Sequence, residues 1–251
     1  MIEVKGVNKT FGDVQILQDI DFTFEKGKTN LIIGQSGSGK SVLTKCIVGL
    51  HKPEQGSILF DGRDMVTVGS REKKSIRKEI GMLFQGSALF DSLTVEENVM
   101  FPLTMFTKMS KAEMRERAHF CLQRVDLINK EKLFPSEISG GMQKRVAIAR
   151  AIAMKPKYLF CDEPNSGLDP RTSILIDDLI KDLTEEYEMT TVVITHDMNS
   201  VLEIGDNILF VYEGRNHWTG NKESVLTTQN KEVTDFVYCS KFMKMYREKI
   251  M

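Results

Sequence analysis

The sequence predicts an α/β fold: a mostly parallel sheet covered by helices, with a helical block set into its middle. Three observations predict it. Leu31-Ile32-Ile33, Tyr158 to Asp162 and Thr191 to Thr195 are short buried runs of the kind that form interior strands. Helical runs alternate with them in the second half, and that alternation builds a parallel sheet. Between Thr94 and Ile128 the strand character gives way to a stretch free of glycine and rich in Met, Glu, Lys and Arg.

Taken in order, Ile20, Phe22 and Phe24 alternate with polar residues as a half-buried strand does. A glycine-rich turn after Ile33 leads into a helix from about Ser41 to Leu50. Pro53 to Gly56 make a turn, and the strand Ser57 to Phe60 is closed by Asp61-Gly62. The helical block follows, ended by Pro135 and the Ser139-Gly140-Gly141 turn. A second helical run covers Met142 to Met154. Then come the strand Tyr158 to Asp162, a helix Thr172 to Glu188, and strands Thr191 to Thr195 and Asn207 to Tyr212. The tail from Lys231 to Met251 reads as helical, with Val233, Phe236, Val237, Phe242 and Met243 spaced for one apolar face. It suits a dimer contact, a regulatory partner or a capping helix. The organisation expected is one domain: a core of residues 1–93 and 140–230, a helical subdomain 94–139 and a tail 231–251. No internal repeat is visible, so a tandem of two such domains is not expected.

With 41% apolar residues in 251, the chain has enough for a sizeable core. Lys plus Arg (34) nearly cancels Asp plus Glu (35), which argues against a nucleic-acid binder relying on general positive charge. Cys46, Cys121, Cys161 and Cys239 stand far apart with no CxxC pair, and read as buried free thiols of a reducing compartment. Met1-Ile2-Glu3-Val4-Lys5 lacks the basic flank and apolar run of a signal peptide. No stretch approaches the roughly 18 uninterrupted apolar residues of a membrane span. The chain is expected in the cytosol, with any membrane role acting through a partner.

The chemistry begins at Gly34-Gln35-Ser36-Gly37-Ser38-Gly39-Lys40-Ser41, a GxxxxGK[ST] match between a buried strand and a helix. Glycines let the backbone curl until successive N–H groups converge on phosphate oxygens, and the helix N-terminus adds its positive dipole end. Lys40 supplies charge to the β- and γ-phosphates and Ser41 a hydroxyl for Mg2+. The candidate binding set runs on to Val42. A magnesium acid is expected at the end of a second buried strand, and Asp162 stands there, with Glu163 beside it to orient and polarise the attacking water.

Ile138-Ser139-Gly140-Gly141-Met142-Gln143 resembles the signature sequence of the ATP-binding cassette (ABC) ATPases, and it lies just ahead of the Asp162-Glu163 strand as in that family. Ser139, Gly140 and Gly141 open a helix and make a second phosphate site. In the family that site serves the ATP of a second copy, two subunits sandwiching two ATPs head to tail. Other elements fall in the family's order. Gln85, after Ile80-Gly81-Met82-Leu83-Phe84, resembles the Q-loop glutamine that senses Mg2+ or water. Ser166-Gly167-Leu168-Asp169 resembles the D-loop, and His196 the switch histidine at the γ-phosphate. Phe11 takes the place of the aromatic that stacks on adenine; the other reading is a core residue. Ile138, Met142 and Asn165 depart from the usual residues, and none of the three removes a charge or donor needed for hydrolysis. His51, His119 and His217 have no ligand-spaced partners and read as surface or structural.

The resemblance covers the chain through about Tyr212. It implies a P-loop NTPase core of the ABC type with a mixed sheet and an inserted helical subdomain. It also implies ATP and Mg2+ as cofactors, Lys40, Gln85, Glu163 and His196 as catalytic groups, and Ser41, Gln85 and Asp162 at the metal. The stretches 34–43, 83–95 and 140–145 are similar to the ATPase subunits of the Mla phospholipid-transport family. That likeness implies a second copy, a transmembrane permease, an MCE-domain protein and a small regulatory subunit as partners. It implies a peripheral place at the cytoplasmic face of the inner membrane, and no nucleic acid. Phe101 to Met109, apolar and Met-rich, suits a groove for a permease helix or simply packs the helical lobe. A cassette for another cargo is the serious competitor. A ribosome- or DNA-acting cassette would carry two cassettes or long coiled-coil insertions, and a P-loop kinase or GTPase would not need Ser139-Gly140-Gly141.

Overall fold

Buried apolar residues mark most strands of the chain, and in the computed structural model, which describes residues 1–239 and 243–245, the elements fall into two units. The first unit comprises Met1–Val68 and Ile194–Met251, the second Gly69–Val193.

The first unit opens with β1 (Ile2–Phe11) and β2 (Val14–Phe24), paired antiparallel from Ile2 opposite Phe24 to Phe11 opposite Val14. Alternation buries Ile2, Val4, Ile20 and Phe24 and leaves their polar neighbours outside. β3 (Thr29–Ile33) is buried at every residue. The phosphate-loop segment then leads into α1 (Lys40–Ile47). β4 (Gln55–Phe60) pairs antiparallel with β1 and with the short β5 (Arg63–Asp64), giving the sheet order β2-β1-β4-β5.

The second unit begins with α2 (Ser70–Lys78), β6 (Ile80–Leu83), α3 (Val95–Phe106), α4 (Lys111–Arg124) and α5 (Gly140–Ile152). It continues with β7 (Tyr158–Asp162), α6 (Pro170–Glu186) and β8 (Thr190–Ile194). Its strands lie in the order β8-β7-β6. β6 runs parallel to β7 with Leu83 opposite Cys161, so both chains leave the sheet at the same end, Phe84-Gln85 beside Asp162. The single helical run expected over Thr94 to Ile128 is two helices. Thr94 with Glu97 and Ser110 with Glu113 each form a capping box, and the second starts a new helix after an extended Thr107.

The chain returns to the first unit through α7 (Met198–Ile204), β9 (Asn207–Tyr212), β10 (Arg215–Gly220), α8 (Ser224–Thr227) and α9 (Lys231–Val237). β9 is parallel to β3 and antiparallel to β10, so the sheet is mixed. Leu31, Ile32, Ile33, Ile208, Leu209 and Phe210 form its buried centre. Of the helix expected from Lys231 to Met251, the described residues show α9, which ends at Val237 with Tyr238 as its C-cap and buries Val233 and Val237; Phe242 lies outside the described residues. Of the four thiols expected to be buried, Cys239 is exposed, because it follows the end of α9 on the surface. Among the described residues no helix is long and apolar enough to cross a membrane.

Candidate active site

The phosphate-loop glycines are required by the backbone. Gly34 has φ +144°, and a Cβ there would stand 2.2 Å from the Val211 carbonyl oxygen in β9. Gly37 and Gly39 have φ of +80° and +107°, the left-handed side that favours glycine. The Ser38 amide donates to Gln35 O at 3.2 Å, closing the curl. Lys40 is buried, and its ammonium donates to the carbonyls of Gly34 and Gln35 at 2.8 Å each. A lysine so held sits inside the ring of backbone where a phosphate would lie. Gly39 caps α1 without a side-chain hydrogen bond, so the first-turn amides of Lys40, Ser41 and Val42 have no capping side chain. The buried Ser38 Oγ has no hydrogen-bond partner among the described residues. Gln35, Ser36 and Ser41 are exposed. Amides, a hydroxyl and an ammonium converging on one loop fit a polyphosphate.

Phe11 ends β1 and is 44% exposed, which removes the core reading of this residue. The Lys9 ammonium stands 4.9 Å from its ring centre and the His51 ring 5.2 Å away, edge-on. The ring is an exposed aromatic surface with the ammonium over one face and the histidine packed in an edge arrangement. His196 is exposed, one residue beyond Thr195, whose amide donates to Ile32 O of β3 at 3.3 Å. That bond brings His196 to the end of β3, where the phosphate loop begins.

In the second unit Asp162 and Glu163 close β7, both half-buried. Glu163 has φ +47°, uncommon for a residue with a Cβ. Gln85 is exposed and its side-chain amide donates to Ser166 Oγ at 3.4 Å. The structure joins Gln85 and Glu163 through a residue the sequence reading missed. Lys144, 4% exposed, extends from α5 to donate to the carbonyls of Gln85 and, at 3.5 Å, Glu163. Burial lowers the Lys144 pKa below the usual lysine value, opposed by Cys161, Asp162 and Glu163. Burial raises the thiol of Cys161, beside Asp162, so it stays protonated.

Ser139 caps α5, its Oγ accepting from the Met142 amide at 3.3 Å. The hydroxyl proton is still available to donate. Gly141 makes a close approach: a Cβ there would meet Thr172 Cγ2 at 2.6 Å, so that side chain would have to shift. Ser139, Gly140, Gly141, Gly167, Asp169 and Thr172 are among the residues lining an open cavity of about 270 Å³. Asp169 caps α6. Its carboxylate accepts from the amides of Arg171 and Thr172 at 3.1 Å each and from Thr172 Oγ1 at 2.5 Å. Those bonds, the Thr172 hydroxyl first, hold its pKa below the ordinary Asp value. Of the surface histidines, His119 meets Glu96 at 2.9 Å and His217 meets Glu232 at 3.1 Å.

Comparison with known proteins agrees with this chemistry. The sequence profile of the family described as ABC transporter matches residues 17–166. The chain is 39% identical over 236 residues to the probable ribonucleotide transport ATP-binding protein mkl of Mycobacterium leprae, covering 94% of this chain and 68% of that one. It is also 39% identical over 237 residues to the intermembrane phospholipid transport system ATP-binding protein MlaF of Haemophilus influenzae, covering 94% of this chain and 90% of that one. Among solved structures, a dimeric post-hydrolysis state of the ATP-binding cassette MJ0796 bound to ADP and Pi superposes with a TM-score of 0.80. Identity is 35%, over 88% of this chain and 99% of that one.

Proposed function

This chain belongs to the ABC transporter family, as an ATP-binding subunit whose ATP hydrolysis is coupled to transport, and on that premise we propose that it drives phospholipid movement through a separate membrane permease. Two copies pair head to tail, each placing Ser139 and Gly141 against the other's γ-phosphate. The observation that carries the hydrolysis is the phosphate loop: Lys40 held on the Gly34 and Gln35 carbonyls, with unbonded Ser38 Oγ and the α1 amides beside it. Phe11 stacks on adenine. Glu163 orients and polarises the attacking water and His196 contacts the γ-phosphate. Positioning and charge stabilisation do most of the work in such phosphoryl transfer.

Ser41 hydroxyl, Gln85 amide oxygen and Asp162 carboxylate are hard oxygen donors, the set that suits Mg2+. When bound, the ion neutralises charge on the β- and γ-phosphate oxygens. Gln85 already directs an N–H at Ser166, which leaves its oxygen as the ligating end. Functionally we assign residues 1–93 and 140–230 to the nucleotide-binding core, 94–139 to a helical subdomain and 231–251 to a tail.

The phospholipid reading is supported by the MlaF relative, which matches over most of both chains. With it come an MCE-domain protein and a small regulatory subunit as further partners, and the cytoplasmic face of the inner membrane as the location. The exposed rings of Phe90 and Phe101, 4.5 Å apart, with the exposed Met105 and Phe106 of the same α3, are the apolar groups that would receive a permease helix. The mkl relative favours a second reading, the same ATPase serving another cargo. Affinity purification of the full chain from detergent-solubilised native membranes, with protein and lipid mass spectrometry, tests both. A permease, an MCE-domain protein and bound phospholipid are the expected result. A permease without phospholipid discards the cargo, and no membrane partner at all discards the transporter pairing.

A further inference from the structure

Three residues with a Cβ adopt left-handed backbone beside the Gln85 and Glu163 side chains: Ser87 at φ +60°, Ala88 at +47° and Glu163 itself at +47°. Such conformations are disfavoured and persist where the surroundings over-determine them. Here the surroundings are one helix. Arg150 of α5 donates from Nη1 to Ala88 O and from Nη2 to Ser87 O, both at 2.7 Å, so its planar fork takes both strained carbonyls of the turn. Lys144 of the same helix donates to Gln85 O and, at 3.5 Å, to Glu163 O, which also receives the Ser166 amide. The ammonium has three donors and fills the gap between the two segments. The partners of these cations lie 59, 19, 62 and 63 residues away in the chain. α5 is also the helix whose first residues are Gly140 and Gly141, capped by Ser139.

We propose that Lys144 and Arg150 are positioning residues for ATP hydrolysis, holding the segment 85–88, with its strained Ser87 and Ala88, and the strained Glu163 on α5 so that the Gln85 amide and Glu163 carboxylate leave from fixed backbone points. The inference rests on the ATPase reading above. Neither cation need touch nucleotide. Each acts on a backbone carbonyl, and the side chain on that backbone meets the reacting water. Because one helix holds both segments and carries Ser139 at its start, a shift of α5 moves all three together.

The test uses the full chain in wild-type form and as Lys144→Met, Lys144→Arg, Arg150→Met and Arg150→Lys. Steady-state ATP turnover is measured, along with hydrogen–deuterium exchange of peptides spanning 84–94 and 162–168. In the methionine variants kcat is expected to fall about 10- to 100-fold, the range a displacement near 1 Å produces, with KM for ATP within about threefold of wild type. Exchange over 84–94 is expected to rise in both, and over 162–168 in Lys144→Met. Lys144→Arg should restore most of kcat. Arg150→Lys, which keeps the charge but lacks the planar fork that fits both carbonyls, should fall between. Unchanged kcat in both methionine variants overturns the proposal, as does unchanged exchange over 84–94. A loss that arrives as a KM rise and is not restored by Lys144→Arg overturns it too. Should a methionine variant not fold, the conservative pair still decides: full activity and unchanged exchange in Arg150→Lys refutes the clamp. An inactive wild-type chain would sink the ATPase reading, while the exchange comparison would still judge the clamp.

Discussion

Replacing Gly34 by alanine tests the phosphate loop where it has least room. At φ +144° the backbone is strained for any residue with a Cβ, at a cost of about 1–3 kcal/mol. The new Cβ would also stand 2.2 Å from Val211 O, a backbone atom of a buried strand. Either that strand or the loop must retreat, and overpacking of this kind costs about 1–3 kcal/mol more. β9 is paired in parallel with β3, Ile33 opposite Phe210, so the shift falls on the strand that delivers the loop. A total of about 2–6 kcal/mol corresponds to a Tm lower by roughly 4–24 °C for a chain of this size. ATP affinity should drop by at least about tenfold, since a displaced loop no longer converges its amides on phosphate. Gly37→Ala is the control. A Cβ there meets nothing within 4 Å, so only the strain at φ +80° remains, about 1–2 kcal/mol. Gly39→Ala falls between, its nearest neighbour being the movable Leu17 Cδ2 at 2.9 Å. Thermal unfolding and titration with a fluorescent ATP analogue read both effects. If Gly34→Ala is no more damaging than Gly37→Ala in either assay, the close approach to Val211 is not what makes glycine necessary.

Glu163→Gln should cut ATP turnover by about 10²- to 10⁴-fold while ATP binding is kept, and the ATP-bound variant should elute as a dimer in size-exclusion chromatography. Near-normal turnover would remove Glu163 from its role, and an ATP-bound monomer would count against the head-to-tail pair. Phe11→Ala should weaken ATP binding by about 5- to 150-fold, the worth of one base–aromatic stack, and Phe11→Tyr should restore it. Equal affinity in all three would leave Phe11 without a part in binding. For the thiols, burial pushes Cys46 and Cys121 up to about 11 and Cys161 higher still, and a raised thiol pKa leaves little reactive thiolate at pH 8. A disulfide reagent at that pH should titrate Cys239 rapidly in the folded protein and all four in denaturant. A second fast thiol in the folded state would contradict the burial.

Much of the fold was legible because it rests on local periodicity. Leu31-Ile32-Ile33 and Tyr158 to Cys161 are buried runs without a charge because strands covered on both faces must be, and they appear in β3 and β7. Elements without such a stripe went unread. α2 has one buried apolar residue, Ile76, among charged neighbours, and β10 (Arg-Asn-His-Trp-Thr-Gly) has no apolar alternation. The break between α3 and α4 carried a local signal, Ser110 with Glu113 three residues on, which a strict search for capping boxes would have caught.

The sequence by itself determined the phosphate loop, since glycines, a lysine and a hydroxyl at fixed spacing are what a curled backbone around phosphate needs. It likewise placed the acids Asp162 and Glu163 at a strand end. Only the tertiary structure decided that Phe11 is exposed, that Asp169 directs its carboxylate at its own helix, and that Lys144 and Arg150 grip backbone carbonyls. The physical reason is range. Backbone curvature and strand burial are imposed within a few neighbouring residues. The carbonyls that Arg150 grips lie about sixty residues away, and chain separation holds no record of which carbonyl the fold will bring within 3 Å.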